Sequence, residues 1–183
     1  MTNKEKRRAG ILYDANNDMG LLQEMKDCKK ICALFNQNGD ANVLRSIFGK
    51  ANGEYNILPS FWCDYGYNIE IGNGFWANHN LVILDEAKVT FGNNVFIGPN
   101  CGFYTASHPF DALLRKQGYE YAKPITVGNN VWFGGNVVVL SGVTIGNNVI
   151  IGAGSVVTSN IRDNVIAYGN PCRIVRENNE VGK

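Results

Sequence analysis

Histidine is nearly missing from this chain: 183 residues hold only His79 and His108. A catalytic zinc centre of three imidazoles, the kind a carbonic anhydrase uses, is therefore not supplied by one chain. Long apolar runs are missing as well, and MTNKEKRRAG at the start has charges with no apolar stretch behind them. Neither a membrane span nor a signal peptide is expected, and the cytoplasm is the expected location. Charge has no dominant sign, with a net value of +1 and acidic and basic residues mixed. That balance argues against an electrostatic nucleic-acid partner or a basic membrane arm. Cysteines number five, at positions 28, 32, 63, 101 and 172, an odd and scattered set. Cys28 and Cys32 fall four apart in a helical pattern, but no second pair at zinc-ligand spacing follows. Reduced, buried thiols and no metal are expected.

What the sequence has in abundance is a six-residue rhythm. Residues 127–162 read VGNNVW, FGGNVV, VLSGVT, IGNNVI, IGAGSV, VTSNIR. The first position is always apolar (Val127, Phe133, Val139, Ile145, Ile151, Val157). Glycine takes the second position of two hexapeptides and is missing from the third: Gly128, Gly134, Leu140, then Gly146, Gly152, Thr158. The repeat unit is thus three sides of six residues, two of them turning on a glycine that tolerates angles a Cβ would obstruct. Three short β-rich sides per turn, stacked, make a parallel β-helix of triangular section.

The same grammar starts earlier, at Tyr65-Gly66, Ile71-Gly72 and Ala77-Asn78. Ile83 is in phase, but the next match, Phe91-Gly92, comes two residues late, so a bulge is expected within 84–90, a segment that contains Asp85 and Glu86. Phe91, Ile97 and Phe103 make a further turn. After His108 the rhythm stops, and 109–123 (PFDALLRKQGYEYAK) is read as a loop thrown out from the prism. Upstream, Leu21, Leu22, Met25, Cys28, Cys32 and Phe35 form one face of a helix beginning at Met19. Asp40 is placed to cap a second helix. The expected organisation is a helical region at 1–55, the β-helix at 56–168 and a tail at 169–183 in which the repeat has ended.

His108 stands where a strict repeat breaks, in TASHP, and an imidazole that is neutral near pH 7 can accept a proton. The repeat, together with DYGYN (64–68), TASHP, NNVW (129–132) and GNPCR (169–173), resembles the maltose and galactoside O-acetyltransferases, over about Lys4 to Arg176. The hexapeptides alone specify only a fold; the other segments are more specific. The resemblance implies a left-handed parallel β-helix, mainly β, and a homotrimer with active sites between subunits. It implies acetyl-CoA as donor, a sugar hydroxyl as acceptor, and His108 as the catalytic base. On the acceptor side it implies Asn78, Asp85 or Glu86, and Asp14 on a helical wall that also carries Ala15 and Met25. On the CoA side it implies Trp132, Gly135, Ala153, Thr158, Ser159, Arg173 and Arg176, the arginines suiting phosphates. Open alternatives are the same chemistry on serine, an amino sugar or a xenobiotic, and a non-catalytic scaffold.

Overall fold

Each hexapeptide forms one short strand, and three strands close one turn. In the computed structural model, which describes residues 1–179, about six such turns stack into a β-solenoid. The first face holds Lys50–Ala51, Ile69–Ile71, Val89–Phe91, Ile125–Val127 and Thr144–Ile145. The second holds Tyr55–Ile57, Phe75–Ala77, Val95–Ile97, Val131–Phe133, Ile150–Ile151 and Val165–Gly169. The third holds Phe61–Cys63, Leu81–Leu84, Gly102–Tyr104, Val138–Val139 and Val156–Val157. Neighbours within a face pair in parallel, so Ile71, Phe91, Val127 and Ile145 lie one above another.

Side chains at either end of a strand triplet point inward and the middle one outward, as the alternation of a pleated strand requires. The inward column includes Phe75, Phe91, Phe103 and Phe133, each ring meeting the next edge-on at 5.0–5.2 Å. Burial of each such ring contributes roughly 1.5–3 kcal/mol, so the column alone is a large share of the cohesion between turns.

The corners between the first and second faces account for the Asn-Asn dipeptides. The N–H of Asn93, Asn129 and Asn147 each donates to the side-chain oxygen one turn on, at 2.7–2.8 Å, ending on Asp163. The second asparagine of each pair (Asn94, Asn130, Asn148) is left-handed, with φ of 55–56°, and its amide donates to the next asparagine at 2.9–3.1 Å. Glycine is required beside them for space: a Cβ on Gly128 would sit 2.7 Å from the Gly146 carbonyl oxygen.

Turn length varies. The ladder advances by 20 residues from Asn73, 36 from Asn93, 18 from Asn129 and 16 from Asn147. The 20-residue step contains the expected bulge, between the strands ending at Leu84 and starting at Val89. The 36-residue step contains the extruded segment. It is not a bare loop: α4 (Ala112–Lys116) and the strand Tyr119–Ala122 lie in it.

Before the solenoid come α1 (Asn3–Arg8), α2 (Met19–Asn38) and α3 (Ala41–Arg45), with Asp18 and Asp40 as side-chain caps of the last two. Gly39, at φ 71°, ends α2 after the polar run. Phe35 and Leu44 bury against Phe48, Phe61 and the first turn. One turn before Tyr65, Lys50–Ala51 already pairs with Glu70–Ile71; that turn packs on helices and has no glycine at the second position of its hexapeptides. Val165–Gly169 extends the second face, and Cys172–Glu177 folds back antiparallel on it. The last four residues of the expected tail lie outside those described. Among the described residues no helix is long and apolar enough to cross a membrane.

Candidate active site

The corner between the third and first faces gathers most of the acceptor-side candidates. Short strands Ala106–Ser107 and Tyr119–Ala122 pair antiparallel, and Tyr13–Asp14 adds on the other edge. This side sheet exists because the extruded segment returns along its own departure, satisfying backbone groups that leave the solenoid ladder. His108 follows it and is exposed. Ser107 stands opposite Tyr121, so one further step of the register leads from His108 toward Glu120. Glu120 accepts the Tyr13 hydroxyl at 3.0 Å. Burial raises its carboxyl, while that hydroxyl and the neighbouring His108 draw it down.

Asp85 and Glu86, equal candidates by sequence, are given different tasks. The Asp85 carboxylate turns inward, fully buried, and accepts the N–H of Asp64 and of Tyr65 at 2.9 and 2.8 Å. Burial raises it to about 6 against those hydrogen bonds. It braces the chain one turn below. Glu86 instead lines a cleft of about 710 Å³ with Arg8, Tyr67, Asn68, Lys88 and Lys123. Its Oε2 accepts Thr105 Oγ1 at 3.3 Å. Burial, then the hydrogen bond and charge of the nearby Asp64, push its carboxyl well above the usual carboxylate range.

Arg7, Tyr13 and Glu120 were not singled out by sequence. Arg7 is buried, with its guanidinium 4.0 Å from the Tyr65 ring centroid and Nη2 donating to the Tyr67 hydroxyl at 2.7 Å. Tyr13 and Tyr65 form with Leu21, Met25 and Ala87 a small core apart from the main one. Asp14, beside Tyr13, is occupied in a turn with Asn17, whose N–H and amide it accepts. Only a chain fold that closes 107 residues between Tyr13 and Glu120 shows this pocket wall; no local pattern marks it.

Asn78 lies elsewhere. It sits on the corner between the second and third faces, its Oδ1 accepting the His79 N–H at 2.7 Å, while His79 Nδ1 contacts the Pro59 carbonyl. His108 and Asn78 are therefore on different corners of one prism. Gly135 and Ala153 share the Asn78 corner, and Trp132 projects half-exposed from the second face beside it. Gly169, where the final hairpin turns, donates to Ser155 at 3.1 Å on that corner. Thr158 and Ser159 are exposed at the end of the third face, and Ser159 shares a cleft of about 320 Å³ with Arg173. Arg176 lies farther along the hairpin, opposite Ile166.

Residues 124–159 match the family model described as "Bacterial transferase hexapeptide (six repeats)", and residues 6–53 match "Maltose acetyltransferase hexapeptide capping motif". The structure is similar to a maltose O-acetyltransferase from Clostridium difficile 630, at 46% identity over 97% of each chain and a TM-score of 0.94. It is similar to a galactoside acetyltransferase in complex with coenzyme A, at 42% identity over 98% of this chain and 92% of that one, TM-score 0.90. A hexapeptide-repeat acetyltransferase of Vibrio cholerae complexed with acetyl-CoA matches at 34% identity over 97% and 98% of the two chains, TM-score 0.88.

Proposed function

The chain belongs to the hexapeptide-repeat acetyltransferases, with acetyl-CoA as donor, and from that premise we propose that it acetylates a hydroxyl of a sugar of the maltose/glucose or galactoside type. The observation that carries this reading is the side sheet, which presents an exposed imidazole at the end of a strand whose register leads to a carboxylate. Below that sheet, Ala122, Tyr67 and Glu86 line one cleft, whose polar-tipped groups on apolar bodies suit a carbohydrate's hydroxyls and ring faces.

A thioester is a good acyl donor and an alcohol a weak nucleophile, so the protein has to supply a base and alignment. His108 takes the proton of the acceptor hydroxyl as its oxygen attacks the acetyl carbonyl. The C–S bond then breaks, and the same proton passes to the departing CoA thiolate. Glu120, on the side of the emerging imidazolium, lowers the energy of the charge that forms. Glu86, on the wall of the cleft, hydrogen-bonds a sugar hydroxyl; Asp85 works behind the wall. Trp132, Gly135 and Ala153 line the pantetheine path, and Ser159, Arg173 and Arg176 meet the phosphates.

The placement of Asn78 and His108 on different corners supports sites shared between subunits. So do two outward apolar rows on adjacent faces. The second face carries Trp76, Phe96, Trp132 and Ile150 in register, and the third carries Trp62, Val82 and Val138. The first face shows Glu70, Thr90, Thr126 and Thr144 instead. Two different sticky faces on one subunit pair head to tail and close into a ring. In the trimer that the family resemblance implies, one chain's His108 stands beside the next chain's Asn78 corner.

The test is His108→Ala. Turnover on a panel of sugars, read as thiol release, falls about 10²–10⁴-fold while CoA binding measured by calorimetry is retained. Near-full activity in the variant removes His108 from the mechanism; activity on serine or chloramphenicol but on no sugar replaces the acceptor.

A further inference from the structure

Away from the acetyl-transfer residues, three thiols meet where α2 lies against the first turn. Cys28 and Cys32 are one helical turn apart and face the same way. Cys63, at the end of the strand Phe61–Cys63, projects between them. Its sulfur lies 3.5 Å from Cys28 Sγ and 3.7 Å from Cys32 Sγ, and all three sulfurs fall within 4.8 Å of one another. They are at most 4% exposed, and none is in a disulfide.

We propose that Cys28, Cys32 and Cys63 form a trigonal thiolate site for a soft d¹⁰ cation, Cu⁺ or Zn²⁺, that pins α2 to the solenoid. The spacing suits it. Sulfurs bonded to one such ion at about 2.3 Å stand roughly 3.8–4.0 Å apart, a few tenths of an ångström beyond two of the edges present here. Thiolates select soft ions over the hard cations that carboxylates hold. Among the described residues no other Cys, His, Asp or Glu atom joins the group, so coordination stops at three sulfurs. Close by, the Lys29 ammonium pairs with Asp64 at 2.5 Å, next to Cys63 in sequence. A cleft of about 520 Å³ has Cys28 in its lining, the side from which an ion would reach the sulfurs.

The experiment titrates reduced, metal-free protein anaerobically with Zn²⁺ alone and with Cu⁺ alone. Bound metal is counted by mass spectrometry of the eluted protein, and the sulfur-to-metal charge-transfer band is followed for Cu⁺. One equivalent per chain of either ion is expected, with a rise in melting temperature. Cys63→Ser and Cys32→Ser lose it at unchanged circular dichroism, and Cys101→Ser and Cys172→Ser keep it. Whichever ion displaces the other names the occupant. Where a serine variant fails to fold, X-ray absorption on the loaded wild-type chain decides: three sulfurs at about 2.3 Å support the site. Nitrogen or oxygen ligation overturns it, as do uptake well below one equivalent and loss of binding in the Cys172 variant.

Discussion

Asp85 shows how little separates a binding residue from a structural one. It and Glu86 are consecutive, equally acidic and inside the same bulge, so spacing could not choose between them. The choice is made by which carboxylate meets the two N–H groups of the turn below. His108, by contrast, stands out in the sequence because it interrupts a strict pattern, and Arg7 and Glu120 do not, because their partners are distant in sequence. The Asp85 arrangement has a pH signature. Its folded value of about 6 exceeds the roughly 4 of an unfolded aspartate, so the folded state holds the proton more tightly. Its contribution is present in full below about pH 4 and lost as pH rises through about 6, on the order of 3 kcal/mol in all. Asp85→Asn keeps the acceptor oxygen and removes the ionisation. Urea unfolding from pH 4 to 7 is expected to show a flatter decline for the variant, and parallel curves would dismiss this account.

Among the elements, the three faces were readable because one short period repeats with inward apolar positions. The first turn, 50–63, was not readable, since it packs on α2 and α3 and its hexapeptides carry Asn52, Leu58 and Asp64 where the others place their glycines. The extruded segment was visible only as silence; its return strand depends on pairing with Ala106–Ser107 and Tyr13–Asp14, contacts that leave no local trace. The thiol cluster was hidden for the same reason, its third member lying 31 residues beyond Cys32. The asparagine corners carry a prediction of their own. Asn130 combines a left-handed backbone with a ladder bond to Asn148 at 3.1 Å. Asn130→Ala loses that bond, about 1 kcal/mol, and with it the side-chain hydrogen bonding that offsets the steric cost of a Cβ in that conformation, about 1–2 kcal/mol. Asn130→Gly loses only the bond. Denaturant midpoints should rank wild type, then glycine, then alanine; equal midpoints for glycine and alanine would mean that backbone strain plays no part.

For the whole molecule, the uneven distribution of outward side chains is what the proposed assembly rests on. Phe96 is 51% exposed in the centre of the second face's apolar row. Phe96→Glu leaves the interior untouched and places a charge where a neighbour would desolvate it, which costs several kcal/mol per unpaired ion. Light scattering is expected to give the protomer mass, with acetyl transfer lost alongside. A variant that keeps the parent mass would show that this face is not between subunits.

The two ends of the prism differ from its middle. At one end α2 and α3 lie over the first turn, and at the other the chain reverses direction in Cys172–Glu177. A stack of parallel strands is otherwise a seed: its last turn offers the next molecule the same ladder that it offered its own chain. Helices at one end and an antiparallel strand at the other make that surface unlike the repeat it closes. The protein can therefore use the cohesion of a fibre while remaining a particle of fixed length.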